Sequence, residues 1–291
     1  MMKNYWSDYW AQGYLTSFGQ DIKSNYTGKL KSCWLEFAEK LNCNDKVLDI
    51  GTGNGALIRL IQENSSVQFN VIGVDKAVVN EKVAGIESSN ILSNVSAEVL
   101  PFETAEFDAI VTQFAIEYSE LARSIPELFR VLKKGGLYQI VCHEMDSDIV
   151  KPNVLILESA IRVQSELLVP LKQLISALKK ENKDLINRNI SIINEYVELE
   201  KKIHPLAIKG TRYTDFYHFI LKNRKIDLEK AYYLFSQELE GLIYRLTDLK
   251  QAALNAQQLK QLLASRGDVY KEVLVDSNKE YIGTLYRGYK R

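Results

Sequence analysis

Glycines and carboxylates cluster in one short stretch of the chain, where their spacing suits a nucleotide-like ligand. Asp49 is followed by Gly51, Gly53 and Gly55, and a second acid, Asp75, lies further along. Glycines permit a positive φ and a close approach of a ligand to the backbone, and the N–H groups at a helix start attract anions. The carboxylate of Asp49, two residues before the first glycine, suits an ammonium group of the ligand.

A strand and a helix are predicted on either side of these glycines. The apolar run over residues 46–50 is short and bounded by turn residues, which predicts a buried strand, and helical periodicity begins at Ala56. The dinucleotide-binding fingerprint has the same order, with Asp75 as its ribose-binding acid. A fixed anion at Asp49 is unfavourable beside a pyrophosphate, however. The pattern therefore favours S-adenosylmethionine over a dinucleotide.

The spacing D-x-G-x-G-x-G resembles the first motif of class I S-adenosylmethionine-dependent methyltransferases. Four later segments resemble motifs of that family in the same order and spacing: residues 71–75, 97–102, 107–113 and 130–137. With the first motif, the similarity covers about residues 45–145. Membership implies a doubly wound α/β fold with a seven-stranded sheet, mostly parallel with an antiparallel C-terminal strand. It also implies S-adenosyl-L-methionine as the cofactor.

The resemblance also assigns residues to the cofactor. Asp49 and the three glycines frame its amino-acid end, and Asp75 holds the ribose hydroxyls. Ser96 stands where the family often carries an aspartate for the adenine amino group, and a hydroxyl can still accept a hydrogen bond there. The remaining assigned residues are Lys76 and Ala97 near the adenine, and Gln113 and Phe114 after the fourth strand.

Two residues at predicted strand ends are candidate bases for a proton of the methyl acceptor. His143 follows the fifth strand, at the edge where open α/β sheets bind ligands, and a neutral imidazole takes up protons near neutral pH. Glu117 follows the fourth strand and is the second candidate, as a base or an anchor. Each residue also has a purely structural interpretation. His143 can simply hydrogen-bond the loop at the strand end, and Glu117 can be a carboxylate stabilised at a helix start. Alignment alone can also drive methyl transfer, so a base is not required.

The first 30 residues are rich in aromatic side chains. They are expected either to pack across the main domain or to form a lid over the cofactor, as the corresponding segment does in many small-molecule methyltransferases. Tyr14 and Phe18 are the candidate acceptor contacts in this segment. Tyr118, after the fourth strand, is a third candidate.

Composition changes after residue 149, where glycine becomes scarce and helical periodicity predominates up to residue 266. The family core holds one helix here, so a large helical insertion is predicted, either a substrate cap or an oligomer interface. Two alternating segments near the C-terminus predict a strand pair that completes the sheet. The predicted parts are a lid segment (1–45), a cofactor-binding core (46–148), the helical insertion (149–266) and the strand pair (267–291).

Some secondary structure is predicted only from local pattern. A helix is expected around residues 78–84 and a short third strand over residues 96–99. Within the insertion, separate helices are predicted over residues 228–246 and 249–264. Residues 154–180 are predicted to form one or two helices, which Pro170 is expected to interrupt or kink, since proline cannot donate a backbone hydrogen bond.

Composition limits the classes of function. Hydrophobic residues make up 46% of 291 residues, enough for a core, and basic and acidic residues number 37 each. Nucleic-acid enzymes usually carry a basic field, so a nucleic-acid substrate is not expected. Three cysteines without C-x-x-C spacing predict neither a metal site nor a disulfide framework. No apolar run approaches the roughly 20 residues that span a bilayer, and a cytoplasmic protein is expected.

These observations predict a methyltransferase that acts on a small-molecule acceptor. An acceptor on a protein, lipid or glycan stays open, as do a NAD-dependent oxidoreductase and a catalytically inactive scaffold. The N/D-P-P-Y/F motif of amide and adenine methyltransferases is absent after the fourth strand, which argues against nucleobase or glutamine methylation. A homodimer through the helical insertion is the expected assembly.

Overall fold

Seven strands are found among the residues that the computed structural model describes, which are 5–18, 24–83, 85, 90–223 and 226–291. They are β1 (Lys46–Ile50), β2 (Asn70–Asp75), β3 (Ile91–Ser93), β4 (Phe107–Gln113), β5 (Leu132–Cys142), β6 (Tyr270–Val275) and β7 (Tyr281–Tyr289). All seven belong to one sheet, in the order β3-β2-β1-β4-β5-β7-β6.

The strand directions confirm the predicted sheet. β1 pairs in parallel with β2 and β4, β2 with β3, and β4 with β5. β7 is antiparallel to both β5 and β6, so β6 runs in the same direction as β5. The sheet is therefore mostly parallel with an antiparallel C-terminal strand. The strand order reverses between β1 and β4, and ligands of such sheets bind at this switch point, outside the carboxyl ends of the strands.

The helices form two groups along the chain. Those before β5 are α1 (Tyr5–Trp10), α2 (Gly28–Ala38), α3 (Ala56–Asn64) and α4 (Leu121–Val131). Those after β5 are α5 (Val150–Arg162), α6 (Leu168–Lys179), α7 (Lys183–Ile203), α8 (Pro205–Gly210), α9 (Tyr213–Lys222), α10 (Leu228–Asn255) and α11 (Leu259–Ala264).

The chain divides into two compact units. Met1–Val150 and Gln251–Arg291 form the α/β unit, and Lys151–Lys250 form the helical unit. The four-part division drawn from the sequence stays a prediction beside this one. Among the described residues, no helix is both long enough and apolar enough to cross a bilayer.

Alternation along β1 explains why both faces of the sheet are covered. Val47 packs in an apolar cluster with α2 and α3, whereas Leu48 and Ile50 pack in a second cluster with α4 and α11. Successive side chains of a strand point to opposite faces, so a central strand needs apolar residues on both. Asp49 is the polar exception, and it points to the same face as Val47.

The third strand was predicted at the wrong place. β3 pairs with β2 at Ile91–Ser93, and Asn94 then ends the strand with a left-handed φ of 61°. The segment over residues 96–99 is a turn, in which the Val99 N–H donates to the Ser96 carbonyl at 3.1 Å. The helix predicted around residues 78–84 is a single 3₁₀ turn at Glu81–Val83, and residue 84 lies outside the described residues.

The helical unit has its own core, with two departures from prediction. Helix α10 runs without a break through residues 246–249, which hold neither glycine nor proline, so the two predicted helices are one. The interruption before α6 is a π-helical turn, Val163–Leu167. Pro170 is the third residue of α6, directly after this turn, where the regular α-helical hydrogen-bond pattern is already broken. The leucine stripe of this region is buried in the core: Leu167, Leu171, Leu174 and Leu178.

Candidate functional site

A left-handed turn joins β1 to α3. Gly51, Gly53 and Gly55 have φ values of 74°, 53° and 88°, which favour glycine over any other residue. The Gly51 N–H donates to the Val74 carbonyl at 2.8 Å, which holds the turn against β2. Gly55 precedes α3, and the first N–H groups of a helix have no partner within it. The first turn of α3 therefore places N–H groups that have no partner inside the helix at the carboxyl edge of the sheet.

The carboxylate of Asp75 closes this turn from the end of β2. Its Oδ2 accepts the Gly53 N–H at 2.8 Å, and its Oδ1 accepts the Ala77 N–H at 2.8 Å. Burial raises the pKa of the carboxyl group, against the effect of these two hydrogen bonds. Each carboxylate oxygen still has a second lone pair for a hydroxyl donor. Asp75 thus lies beside the turn with acceptor capacity left for a ribose.

Asp49 carries a buried oxygen that no described residue satisfies. The residue is 1% exposed, and its Oδ2 has no hydrogen-bond partner within the described part of the chain. Burial raises its pKa to about 7; the nearby Thr52 hydroxyl acts to lower that pKa, and the charge of Asp75 acts to raise it. Leaving a buried carboxylate oxygen without a donor is costly. A ligand ammonium group would relieve that cost.

Gln113, the last residue of β4, presents a second unsatisfied atom. Its Oε1 accepts the indole N–H of Trp34 at 2.5 Å, whereas its buried Nε2 has no partner among the described residues. Val111 lies opposite Asp49 in the β1–β4 register, so Gln113 points to the same face of the sheet as Asp49. An orphan acceptor and an orphan donor on one face suit the ammonium and carboxylate of an amino acid. The side chains present therefore fit the methionine end of S-adenosylmethionine.

Asn54 ties the N-terminal segment to the turn, and the sequence interpretation missed it. The side chain is fully buried, and its Nδ2 donates to the carbonyls of Trp10 and Tyr14 at 3.1 and 2.7 Å. Its Oδ1 accepts the Asn80 N–H at 2.7 Å. A Cβ placed on Gly53 would lie 2.6 Å from the Trp10 ring, so that ring lies directly on the turn. The only sequence signal was a polar residue between two glycines.

The two acceptor contacts predicted in the N-terminal segment differ in position. Phe18 packs edge to face on Phe114 with ring centroids 5.9 Å apart, which places it at the end of β4. The Tyr14 ring instead packs on Tyr9 of α1, at 5.1 Å. The structure thus brings Phe18, but not the Tyr14 ring, onto Phe114. Residues 1–4 and 19–23 of the predicted lid segment lie outside the described residues.

The residues assigned to the adenine lie next to β2 and after β3. Lys76 is exposed, and Ala97 is half-buried against the cluster that contains Leu48. The Ser96 hydroxyl donates to the Glu98 carboxylate. Although burial acts to raise the pKa of Glu98, hydrogen bonds from Ser96 and from a backbone N–H hold that pKa below its ordinary value. An adenine amino group would therefore find acceptors on both Ser96 and Glu98, and Glu98 was not predicted.

His143 and Glu117 form a buried pair beyond β5 and β4. The His143 Nδ1 lies 2.9 Å from Glu117 Oε1, and the His143 backbone N–H donates to the same oxygen at 2.9 Å. A carboxylate at Nδ1 favours the tautomer that carries its proton there, which leaves a lone pair on Nε2. The other oxygen, Glu117 Oε2, is buried without a partner in the described chain. The pair joins the two residues predicted separately as candidate bases.

Aromatic rings pack around this pair. The Phe114 ring lies 4.3 Å from the His143 ring between centroids, and the Tyr118 ring meets His143 edge-on at 5.9 Å. Phe114 has a φ of 52°, which is uncommon outside glycine, and its N–H donates to the Val141 carbonyl at 2.7 Å. Backbone strain of this kind clusters at functional sites. The end of β4 therefore directs an apolar ring onto the candidate base.

The glycine turn and the His143–Glu117 pair follow the carboxyl ends of β1, β4 and β5, which are neighbours in the sheet. One edge of the sheet thus carries a turn that can bind an amino-acid-bearing nucleoside and a histidine that can take a proton. No cluster of metal-ligating side chains was found among the described residues.

Similarity to known proteins is concentrated in this part of the chain. Residues 48–140 match a family model described as a methyltransferase domain. The ubiquinone/menaquinone biosynthesis C-methyltransferase UbiE of Rhizobium etli is 33% identical over 102 residues, which are 31% of this chain and 38% of that protein. The malonyl-[acyl-carrier protein] O-methyltransferase of a Marinomonas species is 30% identical over 102 residues, or 33% and 37% of the two chains.

These alignments span about two fifths of the length of the curated relatives that the chain matches. Among solved structures, the YcgJ protein of Bacillus subtilis superposes over 90% of this chain and 97% of its own, with 17% identity and a TM-score of 0.38.

Proposed function

The α/β unit of this chain belongs to the class I S-adenosylmethionine-dependent methyltransferase family, and from that premise we propose that the protein methylates a small molecule. The observation that carries the proposal is a pair of buried atoms on one face of the sheet, Asp49 Oδ2 and Gln113 Nε2, with which no described residue forms a hydrogen bond. The amino-acid end of the cofactor offers the ammonium donor and the carboxylate acceptor that these atoms lack. Binding would thereby recover a desolvation cost that the free protein bears.

The other cofactor contacts follow from the same turn. Asp75 would accept the ribose hydroxyls while it keeps its bonds to the Gly53 and Ala77 N–H groups. The Trp10 ring lies on Gly53, so the N-terminal segment would have to contact the cofactor or move to admit it. S-adenosylmethionine supplies an electrophilic methyl carbon on a sulfonium sulfur. The residues of the turn hold and orient it.

His143 would take the acceptor's proton on Nε2. The Glu117 carboxylate at Nδ1 holds the required tautomer and stabilises the imidazolium that forms. Glu117 is fully buried behind the ring, so it is a positioning residue rather than a group that touches the acceptor. Burial of both side chains also keeps competing water away from the proton transfer.

A flat, partly apolar acceptor suits the rings at this edge of the sheet. Phe114 and Tyr118 pack on His143, and Phe18 packs on Phe114. Basic and acidic residues are equal in number over the whole chain, which argues against a nucleic-acid substrate. The two named relatives act, by their names, in quinone biosynthesis and on a malonyl thioester. Because one is a C- and the other an O-methyltransferase, they support a small acceptor and leave its atom open.

Calorimetric titration with S-adenosylmethionine tests the donor half of the proposal. The wild-type protein should bind it, and Asp75→Ala should weaken binding about tenfold or more, because two hydroxyl bonds to a charged acceptor are lost. Asp108→Ala is the matched control, since that aspartate bonds Lys133 at 2.6 Å at the other end of β4. A wild-type protein that binds NAD but not S-adenosylmethionine would refute the proposal.

The acceptor half needs a turnover assay. Formation of S-adenosylhomocysteine with a panel of phenols, quinols and acyl thioesters should reveal an active class, and His143→Ala should lower its turnover on the order of 100-fold. Thermal unfolding of each variant shows whether it is folded. Unchanged turnover in a folded His143→Ala protein would remove the assigned base while leaving the donor site intact.

A further inference from the structure

The outer face of α7 carries apolar residues that the helical unit leaves uncovered. Leu185, Ile192, Leu199 and Ile203 are between 38% and 57% exposed, and we name them the α7 stripe. The first three follow one another every seven residues, and the stripe extends over about 27 Å of helix. The neighbouring face of α7, about 100° around the helix from the stripe, is buried through Asn189, Ile193, Val197 and Glu200.

A seven-residue apolar repeat distinguishes this face from scattered surface hydrophobics. Single exposed apolar side chains are normal in folded proteins, whereas a contiguous apolar strip marks an interaction surface. Repetition every seven residues keeps the side chains on one line along the helix, as one of the two apolar positions of each heptad does at a seam between two helices. The α7 stripe therefore suits a second helix.

The charged residues beside the stripe indicate which partner helix would bind there. One flank carries Asp184, Arg188, Glu195 and Lys202, which alternate in sign and are all exposed. On the other flank, Asn189 is buried and Tyr196 is half-buried, so that side faces the unit's own core. Only one charged flank is thus available to a partner.

In an antiparallel helix pair each flank faces the same flank of its neighbour, whereas in a parallel pair it faces the opposite one. A two-fold axis at Ile192 places residue 188 of one copy opposite residue 196 of the other, so Arg188 lies within about one residue of Glu195 of the second copy. In the same way, Asp184 lies within about two residues of Lys202 of the second copy. Every charge in the flank then meets one of opposite sign. In a parallel pair the flank would meet Asn189 and Tyr196, which carry no charge at neutral pH.

We propose that α7 is a self-association surface, through which two copies of this protein pair antiparallel about a two-fold axis at Ile192. The charged flank is complementary to itself, so a second copy matches it without any other partner. This pairing involves the helical unit alone, and it does not depend on the proposed methyl transfer.

Sedimentation velocity of the full chain over a concentration series tests the proposal. Wild-type protein should convert from monomer to dimer as concentration rises. Ile192→Glu places two carboxylates on the axis and should raise the dimer Kd on the order of 100-fold. The matched control is Val169→Glu, which adds the same charge at an exposed apolar position on α6 and should leave the Kd unchanged.

Charge reversal tests the antiparallel register separately. Arg188→Glu and Glu195→Arg should each raise the dimer Kd about tenfold, since each creates two like-charge contacts per dimer. An equimolar mixture of the two variants should recover wild-type affinity as a heterodimer, because all four charges are then opposed. Circular dichroism checks that the variants are folded.

Three results would overturn the proposal. One is a wild-type chain that stays monomeric at every attainable concentration. Another is a dimer that Ile192→Glu leaves intact. The third is a mixture of the charge variants that dimerises no better than either alone, which would exclude the antiparallel pairing.

Discussion

Glu200 in the helical unit and Glu117 in the α/β unit are both buried carboxylates, but their oxygens are used differently. Glu200 Oε2 accepts the Ser159 hydroxyl at 2.8 Å and an Arg162 N–H at 3.0 Å, and its Oε1 accepts another Arg162 N–H at 2.5 Å. Glu117 receives two bonds on Oε1, both from His143, and none on Oε2 among the described residues. One carboxylate is complete in itself, and the other is not.

The comparison separates a structural carboxylate from a functional one. A buried charge is tolerated when a counter-charge and hydrogen bonds compensate its desolvation, as for Glu200 between α5 and α7. Within the described residues, the buried carboxylate oxygens without a partner belong to Asp49 and Glu117. Both lie at the carboxyl edge of the sheet, where a ligand would bind. The molecule bears an uncompensated cost there, which a ligand or a proton can relieve.

The largest effect on stability is expected at the completed carboxylate. Glu200→Ala should lower the free energy of unfolding by about 3 kcal/mol, because Ser159 and the partly buried guanidinium of Arg162 lose their acceptor. Urea unfolding followed by circular dichroism measures this. Glu198→Ala, which removes an exposed ion pair with Lys201, should change stability by about 0.5 kcal/mol at most. Equal effects of the two substitutions on stability would contradict the structural role assigned to Glu200.

Asp49→Asn should weaken cofactor binding but increase the stability of the cofactor-free protein. Loss of the charge that we propose to face the cofactor's ammonium group should weaken S-adenosylmethionine binding on the order of 100-fold, or about 2.7 kcal/mol. The cofactor-free variant should nevertheless be about 1 kcal/mol more stable at pH 8, because a neutral amide is cheaper to bury than an ion. Calorimetry and urea unfolding report the two quantities. A variant that lost both binding and stability would mark Asp49 as structural.

Stability of the cofactor-free protein should also depend on pH through Asp49. Its carboxyl ionises at its ordinary pKa of 3.8 in the unfolded chain and at about 7 in the folded protein. Between these values the folded state retains a proton that the unfolded state has released, so stability falls as pH rises and levels off above the folded pKa. We expect a decrease on the order of 3 kcal/mol between pH 4 and 7.

The matched measurement is the difference between wild type and Asp49→Asn in urea unfolding at each pH, since other acids titrate in both proteins. The pKa of Asp75 is also raised by burial, and because the charges of Asp75 and Asp49 interact, the difference reports the coupled pair. A difference that does not change with pH would show that Asp49 does not titrate in this range.

The smallest effect is expected at Glu117. Glu117→Gln keeps the shape of the side chain but weakens the hold on the His143 tautomer, and turnover should fall about tenfold. Stability should change by no more than about 1 kcal/mol, because the wild-type carboxylate is itself incompletely bonded. A pH–rate profile that moves with the substitution would identify a positioning role. An unchanged pH–rate profile combined with lower stability would show that Glu117, like Glu200, has a structural role.

The sequence by itself determined the sheet and the turn. Val47, Leu48 and Ile50 form a central strand because their apolar side chains can fill both faces, and Gly51, Gly53 and Gly55 were recognisable because their left-handed φ values suit glycine. The alternating C-terminal segments gave β6 and β7 for the same local reason. These properties depend on residues next to one another in the chain, so a pattern encodes them directly.

Only the tertiary structure decided which polar atoms are satisfied. Glu117 and His143 were separate candidates until the ends of β4 and β5 brought them together, and Asn54 was unremarkable until the N-terminal segment lay against it. The position of β3 and the uncovered α7 stripe likewise depend on contacts between residues distant in sequence. Hydrogen bonding and burial are properties of neighbours in space, and no local pattern records them.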